Sequence, residues 1–275
     1  MEERAVVKVE RLEGEILQFT MARRLLGRPL YRTAAYLVDG LLVDTGMAHT
    51  KAAFLRKLNG LEVHTVVNTH SHEDHIAANA ALQASRGAKL LAHRKALPVL
   101  ADPSLLMLKR YQRFLFGTPE PSMAEALGEE VATERHRFRV LPAPGHSIDH
   151  VALFEAERGW LFAGDAYVGG RERVLRDDFD VWAMVETYRA FAALHPKLLL
   201  GGTGAVVRES SRHLREKIAH LEMAGERVWA LHRKGWDEAA IARECFGNDW
   251  RIRWFTANHF AASHLVRSFL SHPPR

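Results

Sequence analysis

The sequence predicts an α/β fold, a layered domain of strands and helices that gives way to helices in the last quarter of the chain. Three observations carry this reading. Val63–Asn68 is a β-branched run, Ile76–Arg86 an alanine-rich helical stretch closed by Gly87, and Lys89–Ala92 a short apolar run, so strand, helix and strand follow one another. Phe138–Leu141, Val151–Phe154 and Trp160–Ala163 read as three more strands. Beyond Val207 the apolar spacing becomes helical.

The individual elements follow in order. Val6–Val9 and Ile16–Phe19 are short β-prone runs. Ala35–Val38 and Leu41–Val43 flank Asp39-Gly40, a pair suited to the positive φ angles of a tight hairpin turn. His49–Leu58 reads as a helix stopped by Asn59-Gly60. Residues 95–135 are punctuated by Pro98, Pro103, Pro119 and Pro121, with a helical stretch at Leu105–Phe116. The segment is too long for a plain connection and reads as an insertion over the site or as a packed pair of surface helices. Glu157-Arg158-Gly159 joins two strands as a hairpin, Trp182–Leu194 is a helix, and Leu198–Leu200 is a buried strand ahead of Gly201-Gly202-Thr203-Gly204. Arg212–Leu231, Asp237–Cys245 and Thr256–Leu270 are the candidate helices of the tail, the second with Asp237 as N-cap.

A chain of 275 residues accommodates one large domain, or a domain with an appendage. A content of 47% hydrophobic and 26% charged residues excludes disordered, collagenous and fibrous classes. No apolar run approaches the ~18 residues of a membrane span, and the first residues lack a signal-peptide core. The single cysteine, Cys245, excludes an internal disulfide and a thiolate zinc cluster. A cytoplasmic location without membrane attachment is the expectation. The net charge of +5 comes mostly from the tail, where twelve lysines and arginines face eight acidic residues between Val206 and Arg275. That surplus is compatible with nucleic acid, although a solvated arginine-rich helical surface is the plainer account.

The chemistry lies in the histidines. Thr69-His70-Ser71-His72-Glu73-Asp74-His75 places four candidate ligands within six residues, directly after an apolar strand and before a helix. Alternate positions in an extended loop point His70 and His72 the same way, and Asp74 and His75 then turn toward the incoming helix. Neutral imidazoles and carboxylates suit zinc and similar borderline ions. His146, in Pro144-Gly145-His146, and Asp165, in Gly164-Asp165, each lie at the end of a strand, where residues held by a rigid scaffold commonly carry function. No Gly-x-Ser-x-Gly elbow is present, and Gly201–Gly204 is no P-loop because no Lys-Ser/Thr follows.

Together with Asp44-Thr45-Gly46, these motifs resemble, in order over most of residues 30–205, the metallo-β-lactamase-fold hydrolase superfamily. The resemblance implies a four-layer αββα sandwich over residues 1–207 with the site at one edge between two sheets. Residues 208–275 form a helical appendage, weakly similar to those of β-lactamase-like-protein-2 and glyoxalase-II-like proteins and in part to a winged helix. It implies one or two zinc ions, with manganese or iron as alternatives. His70, His72 and His146 match the first site, Asp74 and His75 the second, and Asp165 the bridging carboxylate. One departure stands out: Thr203 occupies the place of a second-site histidine. His195 is expected to lie out of reach, while His259 and His264 are candidates to approach. The implied activity is hydrolysis of an ester-type small-molecule substrate (thioester, lactone or phosphodiester) by metal-activated water, with Asp74 orienting the water or carrying its proton. Tyr167 is either an oxyanion donor or a core tyrosine. The alternatives are a mononuclear iron enzyme like the persulfide dioxygenases, using His70, His146 and Asp165, or a non-catalytic member with an incomplete second site. Oligomeric state is left open.

Overall fold

The computed structural model describes residues 5–272. In chain order, seven strands build the first sheet: β1 (Ala5–Leu12), β2 (Ile16–Leu25), β3 (Arg28–Val38), β4 (Leu41–Val43), β5 (Thr65–Val67), β6 (Lys89–Ala92) and β7 (Glu125–Ala126), hydrogen-bonded in that order. The β3–β4 turn has positive φ at both Asp39 and Gly40, the geometry the Asp-Gly pair favours. From β4 to β7 the strands run parallel, with α1 (Lys51–Lys57), α2 (Asn79–Arg86), α3 (Leu97–Ala101) and α4 (Arg110–Leu115) in the connections. The second sheet continues with β8 (Glu130–Ala132), β9 (Arg137–Pro142), β10 (Val151–Glu155) and β11 (Trp160–Gly164). The chain then forms the short β12 (Leu175–Arg176) and helix α5 (Val181–Ala193) before β13 (Leu198–Gly201) and β14 (Val206–Arg208). The second sheet has the order β14-β13-β11-β10-β9-β8. Helices α6 (Ser210–Arg233), α7 (Glu238–Phe246) and α8 (Trp250–Phe255), the strand β15 (Phe260–Ala261) and α9 (Ala262–Leu270) complete the chain, with β15 paired to β12.

Three apolar clusters show why the layers stack. Tyr36, Val43 and Val67 of the first sheet meet Phe138, Leu153, Phe162 and Leu200 of the second, forming the core between the sheets. The opposite face of the first sheet buries Phe19, Leu42 and Val66 against Phe54 of α1 and Leu82 of α2. The opposite face of the second buries Leu161 and Leu199 against Tyr188 of α5, and the same cluster runs on into Leu214, Val228, Ile241 and Phe269 of the tail. Strands apolar on both faces need cover on both, and the result is the four-layer αββα arrangement. Several tail cations are spent on local ion pairs, among them Arg212 with Glu216, Arg227 with Glu244 and Arg267 with Glu238.

Some element boundaries differ from expectation. Leu105–Phe116 is not one helix: Met107 takes a left-handed φ of 45°, and α4 starts only at Arg110. Thr256–Leu270 is likewise interrupted, because Ala257 and Asn258 both have positive φ and Phe260–Ala261 pairs as a strand. The stretch expected to be helical from Ile76 starts at Asn79, since residues 76–78 complete the turn out of the histidine loop. Strands β7, β8, β12 and β14 go beyond the expected elements. Among the described residues, no helix is long and apolar enough to cross a membrane.

Candidate metal centre

β5 delivers the chain into a loop in which every residue from Asn68 to His75 is buried. A buried polar loop needs internal partners. Asn68 Nδ2 and the Thr45 backbone N–H donate to the His75 carbonyl at 3.2 and 2.7 Å. Asp149 accepts from the Ser71 N–H at 3.0 Å and from Ser147 Oγ at 2.7 Å, tying this loop to the β9–β10 loop that carries His146.

Asp44, at the end of β4, sets the imidazole orientations. Its backbone is left-handed at φ 62°, an uncommon conformation for a non-glycine residue and one typical of functional sites. Its Oδ1 accepts from the Thr69 N–H, and its Oδ2 accepts from the Thr69 hydroxyl, both at 2.8 Å. With that hydroxyl hydrogen committed, the Thr69 oxygen receives His70 Nδ1–H at 3.0 Å, which leaves His70 Nε2 as a bare lone pair. Asp44 Oδ2 also takes His75 Nδ1–H at 2.8 Å and turns His75 Nε2 inward. A carboxylate holding the outer nitrogen of an imidazole is the usual way a metal-ligating histidine is fixed.

The inward atoms converge. His72 Nδ1 lies 2.9 Å from His70 Nε2 and 3.0 Å from His146 Nε2. Donor atoms of His70, His72 and His146 lie within 4.8 Å of one another, as do those of His70, His75 and Asp165. His75 Nε2 is 3.5 Å from Asp165 Oδ1 and 3.7 Å from Asp74 Oδ2, and Asp165 Oδ2 is 3.7 Å from His146 Nε2. All six residues expected from the motifs are thus brought to one place. Among the described residues, His75 Nε2 and Asp165 Oδ1 are buried without a hydrogen-bond partner.

The electrostatics call for a cation here. Burial, reinforced by the neighbouring histidines, holds His70 well below the usual imidazole range. Burial and then Arg176 do the same for His72, and burial takes His146 down to about 3. These rings are neutral donors at neutral pH. Burial would also lower His75, but Asp165, Asp44 and Asp74 outweigh it and raise His75 well above its ordinary value. Asp74 is pushed up to about 7, first by burial and then by Glu73 and Asp165, against the pull of His75. Bare imidazole nitrogens, two orphaned polar atoms and a surplus of carboxylates fit a divalent ion of the zinc type.

The other candidates lie elsewhere. Thr203 is half-buried in a separate cleft beside Arg32 and Gly169. The backbone of Gly202 is what abuts the centre: a Cβ there would lie 2.1 Å from Asp165 Oδ1 and 2.9 Å from His75 Cε1. His195 is exposed. His259 Nδ1 is engaged with Tyr111 Oη at 2.7 Å, and His264 Nδ1 faces the Leu175 carbonyl at 3.3 Å; neither belongs to the two donor groups that share His70. Tyr167 is a core residue, its ring 5.5 Å from Lys217 Nζ. The motif reading missed His150, which stacks on His70 with centroids 4.7 Å apart and accepts the Ala166 N–H at 3.1 Å. It also missed Arg176, whose guanidinium approaches His72 Nε2 at 3.2 Å. No local pattern marks either residue; only the fold brings them in.

The centre forms the floor of a cavity of about 420 Å³. His72, Asp74, His146 and Asp165 face it from below, α4 and α8 form its roof, and the segment 168–176 forms one wall.

The family model described as the metallo-beta-lactamase superfamily matches residues 28–203. The chain belongs to this superfamily. Among curated proteins it is 29% identical over 165 residues to a hydroxyacylglutathione hydrolase of Polaromonas sp., covering 58% of this chain and 56% of that one. It is 29% identical to the thioesterase pkgB of Emericella nidulans over 74% of this chain and 54% of the relative. It is 26% identical to the beta-lactamase-like protein 2 homolog of Drosophila melanogaster over 72% and 68%. The chain thus spans a little over half the length of the first two relatives. A metallo-beta-lactamase family protein of Thermus thermophilus has the same fold, with a TM-score of 0.68, 20% identity and coverage of 92% and 93%.

Proposed function

We propose that the chain is a metal-dependent hydrolase of a small-molecule ester-type substrate, with thioesters foremost. The observation that carries this reading is the pair of converging donor groups sharing His70, set in the floor of a cavity. The names of two relatives, a hydroxyacylglutathione hydrolase and a thioesterase, favour the thioester. His70, His72 and His146 would hold one ion; His75, Asp74 and Asp165 would hold a second. Zinc suits these donors, and manganese or iron is compatible with them.

A bound divalent ion supplies hydroxide at neutral pH by lowering the pKa of water toward ~7, and it polarises the scissile carbonyl. The protein's own part is positional. Asp44 and Thr69 fix His70 and His75, and Asp149 fixes the loop that bears His146. Asp74, at the floor of the cavity and 3.7 Å from His75 Nε2, is placed to take a proton from water and return it. The water oxygen bonds to the acyl carbon, the carbon–sulfur bond breaks, the sulfur leaves with one of the water protons, and the other is released to solvent, giving a carboxylate and a thiol.

The test is elemental analysis of chelator-free and zinc-reloaded protein, combined with thioester hydrolysis by wild type and Asp74→Asn. The expected result is one or two zinc ions per chain and hydrolysis that falls about 10²- to 10⁴-fold in the variant. Absence of metal after reloading, or one tightly held iron with no thioester turnover, would overturn the proposal.

A further inference from the structure

The cavity over the centre has one reactive pole and mainly apolar walls. Leu115 and Phe116 close it from the insertion, Val174 and Phe179 from the side, and Ile252 and Phe255 from α8. Charged and polar side chains also border it, Tyr31 and the exposed Arg171 among them, but four of the others are held by protein partners. The Arg173 guanidinium donates to the Phe246 carbonyl at 2.8 and 3.1 Å. Arg176 forms a two-pronged pair with Asp178 at 2.8 and 2.9 Å. Glu172 is held by Lys217, and Gln112 donates to Glu73 at 2.8 Å. A polar or charged group placed against the apolar walls would lose its water without gaining a partner, which disfavours it. An apolar group would gain by leaving water.

We propose that this chamber receives the acyl side of the substrate, and that the preferred substrates are thioesters or esters of medium-chain or aryl carboxylic acids. The proposal rests on the hydrolase reading above. The scissile carbonyl must lie at the floor, beside the histidines and Asp165. One of its two substituents therefore rises into the chamber. Carriers such as glutathione have charges and amides along their length, which the mainly apolar walls do not match. A hydrocarbon or aryl acyl group matches the walls, and the carrier then leaves through the mouth.

The experiment is a matrix of kcat/KM values for the zinc-loaded enzyme. Acetyl, octanoyl and benzoyl groups are each placed on N-acetylcysteamine and on glutathione. Octanoate and acetate binding are measured separately by calorimetry. The expected result is that kcat/KM rises at least tenfold from acetyl to octanoyl on either thiol, and that octanoate binds while acetate does not. Ile252→Asp and Phe255→Ser, two substitutions at partly exposed positions of α8, should each lower the octanoyl-to-acetyl ratio at least tenfold. Acetyl preferred over octanoyl, or a preference that follows the thiol instead of the acyl group, would overturn the proposal while leaving the hydrolase reading intact. Octanoate binding that is lost in both variants, without hydrolysis of any thioester, would sustain the chamber and overturn the hydrolase reading. Failure of octanoate to bind overturns the chamber outright.

Discussion

Asp44 governs more of this site than any group that faces the cavity. Through one carboxylate it holds the Thr69 backbone, the Thr69 hydroxyl and His75. Asp44→Asn cannot accept at both oxygens, so His75 and, through Thr69, His70 lose their fixed orientation. The expected outcome is a 10- to 100-fold weaker zinc affinity in chelator competition, with little change in far-ultraviolet circular dichroism. His259 makes a second residue-scale prediction. Burial, then Arg176 and Lys109, lower it to about 4, with Asp177 and Asp178 opposing; it bonds Tyr111 at 2.7 Å. An unfolded histidine takes its proton near 6.5. Between those values the unfolded chain binds a proton that the folded chain refuses, so stability falls as pH drops from about 6.5 to about 4. Urea midpoints at pH 7 and pH 5 should therefore differ less in His259→Gln than in wild type. An equal difference would show that the ring carries none of the pH dependence.

At the scale of elements, the loop after β13 makes its contribution through its main chain. Because a Cβ on Gly202 would meet Asp165 at 2.1 Å, Gly202→Ala must push that carboxylate aside. The expected cost is about 1–3 kcal/mol in denaturant unfolding, together with loss of one metal equivalent where wild type binds two. The sequence made the Asp44, His70–His75, His146 and Asp165 pieces legible because each sits at a strand end within a short motif. The β3–β4 hairpin was legible for an equally local reason, the Asp39-Gly40 turn. What it did not reveal depends on distant partners. β7 and β8 are two and three residues long and exist only because the sheets offer them neighbours. The helix expected over Thr256–Leu270 fails at Ala257 and Asn258 because Phe260–Ala261 is drawn into pairing with β12. Thr203 shows the opposite limit: its sequence position marked a missing ligand, but only the fold shows that a glycine backbone closes the gap.

At the scale of the whole molecule, two sheets and two helical layers hold a cluster of neutral histidines and buried carboxylates that is costly without a cation. Metal binding should accordingly appear as global stability. At a free-ion concentration a hundred times Kd, linkage adds about 2.7 kcal/mol, and calorimetry with and without chelator should show Tm lowered by several degrees in the stripped protein. Asp44→Asn should show a smaller gap between the two states. An unchanged Tm on stripping would mean that the folded chain does not need the ion.

The cavity walls come from widely separated parts of the chain. Every proposed donor precedes Val168, whereas Ile252 and Phe255 follow Asp165 by about a third of the chain. A ribosome adding ~5–20 residues per second emits those last walls several seconds after the donors. During synthesis the histidine cage can therefore assemble while the α8 part of its roof is still missing. A nascent chain would then meet metal before it can discriminate among substrates, and selectivity would follow the metal site.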